Sequence, residues 1–594
     1  MFHGGRVVRT NELSFMLGGH AGQGAKTVGD AFARMCTRAG LHVFINMEYP
    51  SNIKGEHNYI QVMVSENEMR SHDRPIDLLL ALDAKTVLLH KDEILPNGAL
   101  IYDRQGLEIS PVDVGIGDVN IERKDILVVD IPLLKIAKDI GGSERMLNAT
   151  GLGAVQGLLR FDFEELAAIL RESLAKLGEE KVEKNLACAK RAYDLVRESF
   201  ADKFAITLAR RDAPRRMLLT GNEALAMGAL KAGVKFYTSY PMTPSSSILT
   251  FMARHAREYG LIAQLTEDEI SAIGMAVGAA FAGVRAMCGT SGGGFCLMCE
   301  HLGLAGIAEI PLVIVEGQRP GPATGLPTRT EQADLRFVLS AHQGDFPRIV
   351  IAPGDPGEAF HLCFDAFNLA DRYQTPVIVL TDKHLAESSW TCELFDTRGM
   401  EIDRGERLGE QELSALGGYK RYLVTESGIS PLSRPGLAGG VFRASGNEHD
   451  LYGRPSEDAN NRTQQMDKRL RKLDSLDVSQ IGAQLHGDPD ADLTLIGWGS
   501  TKPVILETMS LLKERQGLNC NFLQVIYMSP FPTERVTEIM NNAKRTIALE
   551  NNATGQLAGL IREHTGCEIQ DKILKYNGRQ FFRDELADLV VQHL

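Results

Sequence analysis

The residues whose types and spacing could do chemistry lie mainly between positions 240 and 335. In QLTEDEISAIGMAVGAAFAGVRAM, Thr266 and Glu269 have the spacing of a capping box, with the glutamate bonding back to the threonine amide. The helix that follows is rich in small residues (Ala272, Gly274, Ala276, Gly278, Ala279, Ala280), so something must pack closely against it. In YPMTPSSS, Tyr240 to Ser247, Thr243 suits a helix N-cap and Pro244 the first helical position. Ile248, Leu249, Met252, Ala253 and Ala256 then share one helix face. The Tyr240-Pro241-x-Thr-Pro stiffening is more than a cap requires. GTSGGGF, Gly289 to Phe295, has three consecutive glycines and reads as a loop pressed against a ligand. Arg319, among Pro320, Gly321 and Pro322, is either an exposed loop arginine or a guanidinium held rigidly for a carboxylate.

A second chemical candidate is the N-terminal loop GGHAGQGAKT, Gly18 to Thr27, between an apolar run and a helical pattern. Strand, glycine-rich turn and helix N-terminus together can form an anion site, because free N–H groups point at the ligand. A tight strand-to-helix turn without a ligand is the simpler alternative. The loop nearly matches a nucleotide-triphosphate loop, but Ala25 separates Gly24 from Lys26 and displaces the Lys and Thr from phosphate and magnesium geometry. MEYPSNIKGEHN, carrying Asn52 and Lys54, is a turn by itself and could complete a face for a large anionic cofactor. Cys296 and Cys299 stand one helical turn apart in an apolar run and read as core packing, since a cluster needs four ligands.

The elements that must position these residues follow an α/β rhythm throughout. Apolar runs at Leu13 to Leu17, Ile76 to Leu82 and Ile126 to Ile131 alternate with helical patterns, which predicts a largely parallel sheet. Further strands are expected at 235–239, 262–265, 311–315, 348–351 and 376–380, then at 493–497, 521–526 and 546–549. With 594 residues several cores are needed. The expected divisions are 1–205, 215–395, a polar insertion over 396–480 with one charged helix near MDKRLRKL, and 481–594.

Composition excludes some function classes. Lys plus Arg is 64 against 77 Asp plus Glu, a net charge of -13 without a basic cluster, which argues against nucleic acid. No apolar stretch approaches the ~20 residues of a membrane span. The nine cysteines are scattered, not arrayed as a disulfide framework, and fit a reducing cytoplasm.

In combination the motifs are far more specific. YPMTPSSS, TEDEISAIGMAVGAAFAG, TSGGGF and QRPGPATGLPT, in this order, resemble the α subunit of 2-oxoacid:ferredoxin oxidoreductases. GGHAGQGAKT and YPSNIKG resemble that family's γ domain, here fused at the N-terminus, so the resemblance covers nearly the whole chain. It implies a multidomain α/β protein: a γ-type α/β domain, a thiamine-diphosphate pyrimidine-side domain and a transketolase C-terminal-like α/β domain. It implies that Glu269 bonds the aminopyrimidine ring and is the activating carboxylate, displacing the capping role. It implies thiamine diphosphate contacts at Tyr240, Pro241, Ser291 and Gly292, and substrate contacts at Thr243, Arg319 and Thr328. Coenzyme A is expected near Gly22, Gln23, Gly24, Lys26, Asn52 and Lys54. The fused γα architecture favours 2-oxoglutarate, with pyruvate, branched-chain 2-oxoacids or indolepyruvate as alternatives.

The family's Gly-Asp-Gly magnesium motif occurs nowhere in the chain, nor does a cluster of cysteines suited to iron–sulfur ligation. Mg2+, the diphosphate anchor and a [4Fe–4S] cluster are therefore expected on a separate β subunit, with no metal on this chain. Ferredoxin as electron acceptor and an (αβ)2 heterotetramer complete the expectation. The rival from another class is a non-redox nucleotide-binding assembly protein.

Overall fold

The computed structural model describes residues 9–21, 23–50, 56–106, 121 and 123–594. Two compact units emerge. The first comprises the chain up to Leu219 together with Ser388–Leu394 and Phe582–Glu585. Among the described residues its main sheet has eight strands, in the order Leu127–Asp130, Ile94–Tyr102, Ile76–Ala81, Leu13–His20, His57–Ser65, His42–Glu48, Ser389–Cys392, Met217–Thr220. The first four run parallel. From Leu13–His20 onward the neighbours His57–Ser65, His42–Glu48 and Ser389–Cys392 pair antiparallel. The expectation of a largely parallel sheet is thus corrected to a mixed one. HVFINME and HNYIQVMVS are buried along most of their length and lack the clean alternation that marks a half-buried strand.

Leu13–His20 is buried on both faces, as the continuous apolar run predicts for a central strand. Helix Ala25–Arg38 begins directly after the glycine loop and buries Val28, Ala31, Phe32 and Met35 against the sheet. Helices Leu147–Leu158 and Glu179–Ser199 pack closely because Gly153 faces the Ala189 backbone, where a Cβ has no room.

The second unit holds the remaining segments. Its larger sheet orders Ile262–Leu265, Phe236–Ser239, Ala286–Thr290, Leu312–Gln318, Pro376–Asp382, Ile349–Ile351 and Tyr527–Ser529. All pair parallel except Tyr527–Ser529. The smaller sheet orders Ala483–His486, Cys520–Val525, Leu493–Trp498, Thr546–Glu550 and Asp571–Leu574. Leaving Cys520–Val525, the chain pairs through Tyr527–Ser529 with the larger sheet, and Ile378, Leu380, Trp498, Leu523 and Ala548 share one core. The expected strands are all present, while Ala286–Thr290, Ala483–His486 and Asp571–Leu574 had no distinct signal in the sequence.

Residues 396–480 contain little regular structure besides helices Glu410–Ala415 and Ala459–Leu470, and buried charge ties them down. Lys468 and Lys472 each place Nζ 2.6 Å from the Glu309 carboxylate, all three side chains being fully buried. Arg421 donates to the Glu309 carbonyl at 2.7 Å. Burial alone would raise the Glu309 pKa, but Lys468, Lys472 and Arg421 outweigh it and hold the carboxyl well below its usual range. Asp371 is buried in the same manner against Arg285, Arg404 and Arg407, at 2.8 to 3.0 Å. Among the described residues no helix is long and apolar enough to cross a membrane.

Removing one member of a buried ion network strands the others. Glu309→Gln is therefore expected to cost about 3–5 kcal/mol. It should appear as a lower denaturation midpoint with new protease cuts within 396–480; an unchanged midpoint would contradict the assignment.

Candidate active site

Glu269 opens helix Glu269–Phe281, immediately beyond the carboxyl ends of the strands Phe236–Ser239 and Ile262–Leu265. Its side chain is 3% exposed, and Oε1 has no hydrogen-bond partner among the described residues. The capping role that spacing suggested goes elsewhere. Asp268 is the N-cap and accepts from the Ser271 amide at 2.7 Å, while Thr266 donates its hydroxyl to the Asp268 carbonyl. Glu269 is left with a buried acceptor that the helix does not use. Such an atom is costly unless something else satisfies it.

Room for that carboxylate comes from the glycines. The GGG run is the first turn of helix Gly292–Ile307, not a loop as expected, with Ser291 as N-cap. A Cβ at Gly294 would lie 2.7 Å from Glu269 Cγ and closer still to Thr290 Oγ1; one at Gly292 would run into the Asp334 carboxylate. Ser291 is fully buried, and its Oγ is also without a partner. The same helix corrects the reading of Cys296 and Cys299 in part: Cys296 is exposed, while Cys299 is half-buried and packs against the core. The apolar run is real, but helical geometry turns Cys296 and Leu297 outward together.

The loop at 240–245 is positioned by its carbonyls. Arg319 Nη1 donates to the Thr243 carbonyl at 2.9 Å, and Asn222 Nδ2 donates to the Pro244 carbonyl at 2.8 Å. Thr243–Pro244 is cis, and helix Ser246–Tyr259 is capped at Ser245 without a side-chain bond. Thr243 is therefore not the N-cap, and its hydroxyl is not drawn into the helix. Pro244 lies against Gly317, where a Cβ would meet its Cγ at 2.8 Å. Of the expected helix face, Ile248 and Met252 are fully buried, whereas Ala253 is exposed. Tyr240 and Pro241 are exposed, with Tyr240 39% accessible.

Arg319 follows strand Leu312–Gln318 and is half-buried. Burial lowers its pKa, opposed by the charges of Asp334, Glu269 and Glu316. The loop after it is clamped at several points. Leu326 bonds back to the Pro320 carbonyl, Thr330 Oγ1 donates to Asp382 at 3.1 Å, and Asp334 N donates to Gln318 Oε1 at 3.0 Å. Gln332 donates to the Trp498 and Asn551 carbonyls at 2.9 and 2.7 Å. Thr328 is buried within this loop, 7% exposed.

Two members of the cluster escaped the sequence reading. Glu316 is fully buried near the end of its strand, with neither oxygen meeting an N–H or O–H donor. Asp334 has a buried, unpartnered Oδ2. Burial, then Asp334, pushes Glu316 well above the carboxylate range; Asp334 itself is raised by burial to about 6. A glutamate in an otherwise apolar strand is the only sequence signal, and it is weak.

In the first unit, Gln23 Oε1 accepts from the His20 amide at 2.9 Å, and Gly24 caps helix Ala25–Arg38 in the left-handed conformation (φ 80°). That turn leaves the helix N-terminus without a side-chain cap. Lys26 is exposed. Gly22, Asn52 and Lys54 lie outside the described residues. Beside Gly18, His57 and His90 meet Nε2 to Nε2 at 2.8 Å, and His90 Nδ1 meets Glu93 at 2.7 Å. Burial, then His90, lowers His57 to about 4. His90 and Glu93 stand three positions apart, but no short-range pattern links His57 to them. Among the described residues no group of His, Cys, Asp or Glu is placed to hold a metal ion.

Known proteins similar to this chain share both regions. Residues 14–195 match the family described as pyruvate ferredoxin/flavodoxin oxidoreductase. Residues 227–468 match the thiamine-diphosphate-binding family of pyruvate flavodoxin/ferredoxin oxidoreductases. The α subunit of 2-oxoacid:ferredoxin oxidoreductase 2 from Aeropyrum pernix is 35% identical, with 98% of this chain and 97% of the relative covered. The KorA subunit of 2-oxoglutarate oxidoreductase from Mycobacterium tuberculosis is 28% identical over 98% of this chain and 91% of its own. Among solved structures, a 2-oxoglutarate:ferredoxin oxidoreductase from Magnetococcus marinus, with 2-oxoglutarate, coenzyme A and succinyl-CoA bound, matches with a TM-score of 0.89. That match is 30% identical and covers 98% of this chain and 99% of the other.

The glycine turn makes a paired test of the packing around Glu269. Gly294→Ala should destabilise by about 1–3 kcal/mol, because the new methyl meets Thr290 and Glu269. At Gly293 a Cβ meets only the Ala323 carbonyl, at 3.8 Å. Gly293→Ala should therefore stabilise by about 0.4–1 kcal/mol. Thermal denaturation of the two variants decides, and equal shifts would contradict the close approach of Glu269.

Proposed function

Because the chain belongs to the thiamine-diphosphate-dependent 2-oxoacid:ferredoxin oxidoreductases, we propose that it is the γα-fused α subunit of an enzyme acting on 2-oxoglutarate. The reaction is coenzyme A-dependent oxidative decarboxylation to succinyl-CoA and CO2, with two electrons passed to ferredoxin, or its reversal as CO2 fixation. The observation that carries this reading is Glu269 Oε1, buried and unpartnered at the carboxyl ends of the parallel strands. Relatives named for 2-oxoacid oxidation, similar along nearly their whole length, give it context. Membership of an enzyme family displaces the alternative of a nucleotide-binding assembly protein.

The residues present fit the cofactor's pyrimidine side. Glu269 offers a carboxylate in a dry setting, and Ser291, Gly292, Tyr240 and Pro241 border the same strand ends. When bound, thiamine diphosphate supplies the nucleophilic carbon and the electron sink that decarboxylation of a 2-oxoacid needs. Glu269 holds and shares a proton with the ring nitrogen of the aminopyrimidine, which is general acid–base work. Arg319 and Thr328 take the C1 carboxylate, and Thr243 contacts the oxo or carboxylate oxygens. The rigid loop orients that carboxylate before reaction, where proximity lowers the barrier most. In the first unit, Gln23, Gly24 and Lys26, together with Gly22, Asn52 and Lys54, are the proposed coenzyme A contacts.

The functional divisions are 1–205, 215–395, 396–480 and 481–594. Neither a Gly-Asp-Gly motif nor clustered cysteines occurs in the sequence. The diphosphate anchor, Mg2+ and a [4Fe–4S] cluster are accordingly assigned to a β subunit in an (αβ)2 assembly, with ferredoxin as acceptor. Nine free thiols suit a reducing cytoplasm. The M. marinus enzyme, described with 2-oxoglutarate bound, favours that substrate over pyruvate, branched-chain 2-oxoacids or indolepyruvate.

An activity panel on the co-expressed complex, varying the 2-oxoacid with coenzyme A and a viologen acceptor, tests the assignment. Highest kcat/KM is expected for 2-oxoglutarate, and no turnover from the chain alone. Glu269→Gln should lower dye reduction by about 10²–10⁴-fold with the complex still assembled. Near-normal activity in that variant would remove Glu269 from its role.

A further inference from the structure

We propose that the arginine-lined cavity at the C-terminal end of helix Ala25–Arg38 binds a small molecule carrying a chain of two or more phosphates. The site lies wholly within the first unit and does not depend on the roles assigned to Glu269 and Arg319.

The sequence shows only a short basic run, ARRDAPRR, in which four of the seven residues 210–216 are arginines. Folding brings Arg34 and Arg38 to it from the end of the helix, so six guanidinium groups border one cavity of about 1010 Å³. A cluster of cations that composition does not reveal is thus assembled in a chain whose net charge is -13. Arginines at a helix C-terminus can serve merely to offset its dipole. Two are enough for that, and the other four come from an irregular segment outside the helix.

The backbone holds that segment in place. Arg211 N donates to the Ala39 carbonyl at 2.8 Å, and Ala209 N donates to the Asn11 side-chain oxygen at 2.7 Å. Gly40, at φ 85°, permits the approach, since a Cβ there would lie 2.5 Å from the Arg211 carbonyl oxygen. Arg216 Nη1 donates to the Gly40 carbonyl at 3.4 Å. A segment fixed in this way has less freedom to lose when a ligand binds.

Carboxylates offset some of the cations, and their placement decides the sign a ligand meets. Arg34 and Arg38 share one carboxylate, Glu172. Arg210 pairs with Glu165, Arg211 with Glu66 at 2.6 Å and Arg216 with Glu393 at 2.8 Å. Arg215 meets no carboxylate among the described residues. Of all these acids only Glu165 lines the cavity, joined by Asp212, so six guanidinium groups face two carboxylates across it. Most of the pairs are exposed, and exposed ion pairs contribute little, so an incoming polyanion displaces them at small cost.

The ligand class follows from the lining. Guanidinium forks take phosphate oxygens two at a time, and a phosphate chain distributes its charge as the arginines are distributed. The volume is that of a small-molecule site. No aromatic ring lines it for a base to stack on, so recognition falls on the phosphates. Lys26, a proposed coenzyme A contact, stands at the other end of the same helix, roughly 18 Å from Arg38 along the axis. The cavity is therefore a second anion site.

The test is calorimetric titration of the assembled complex with sodium tripolyphosphate, in a phosphate-free buffer of low salt without divalent cations. Saturable binding is expected, weakening as salt is added. Arg34→Gln combined with Arg38→Gln should lower the affinity by about tenfold or more, and Arg215→Gln by about threefold or more. Dye reduction should be unchanged in both. Arg215→Gln breaks no ion pair, so it keeps the test decisive if the double variant does not fold. Lys26→Gln should leave tripolyphosphate binding intact, as should coenzyme A at a concentration that saturates turnover. No saturable binding in the wild type, unchanged affinity in the arginine variants, or loss of binding with coenzyme A or in Lys26→Gln would overturn the inference. Competition by ATP identifies the source: equal affinity means that the chain alone is read, and tighter binding that a nucleoside is also held. A single-stranded oligonucleotide that binds more tightly than tripolyphosphate at equal phosphate concentration would overturn the small-molecule assignment.

Discussion

A carboxylate removed from water needs a donor, and the centre of the second unit leaves several without one. Glu269 Oε1, both oxygens of Glu316 and Asp334 Oδ2 are buried together with the Ser291 hydroxyl, and the described residues supply none of them with a hydrogen-bond partner from the standard donor set. Buried polar atoms in a folded protein are normally satisfied. Their concentration at the carboxyl ends of parallel strands, where open α/β sheets receive ligands, marks a place built for molecules the chain does not itself provide. Much of the surrounding architecture can be understood as making this arrangement tolerable.

Holding unsatisfied groups in place requires rigid surroundings. At the start of helix Gly292–Ile307, Gly292 and Gly294 leave the space that Asp334 and Glu269 occupy. The segment from Arg319 to Asp334 cannot relax, since Gln332, Thr330 and Asp334 are bonded to Trp498, Asn551, Asp382 and Gln318. Trp498 and Asn551, at the ends of strands of the smaller sheet, thereby hold the loop that leaves the larger one. Farther out, the irregular stretch 396–480 is pinned by Glu309 and Asp371, each surrounded by cations, so its sparse secondary structure does not leave it loose.

The legible parts of the sequence were those with local signals. Apolar strands such as Leu312–Gln318 and Pro376–Asp382 were visible as runs, and the glycine loop announced the turn before Ala25–Arg38. The mixed character of the first sheet was hidden, because antiparallel neighbours His42–Glu48 and His57–Ser65 are as buried as parallel ones. Spacing misled wherever two residues competed for one role. Thr266 and Glu269 had capping-box spacing, yet Asp268 was the nearer and better cap. Thr243 looked like an N-cap until Ser245 took that place. Glu316 and Asp334, eighteen positions apart, both end with buried, unpartnered oxygens, and no periodicity encodes that. Family resemblance directed attention to Glu269, and the structure leaves that carboxylate buried with an unpartnered Oε1, which spacing alone did not indicate.

The central claim is that the unpartnered acceptors around Glu269 are satisfied by thiamine diphosphate and a 2-oxoacid in the assembled enzyme. A structure of the complex with the cofactor and N-oxalylglycine measures this directly. The account predicts Glu269 within hydrogen-bond distance of the aminopyrimidine ring nitrogen and the ligand's C1 carboxylate on Arg319. A cofactor bound with Glu269 still unpartnered, or a carboxylate seated away from Arg319, would contradict it.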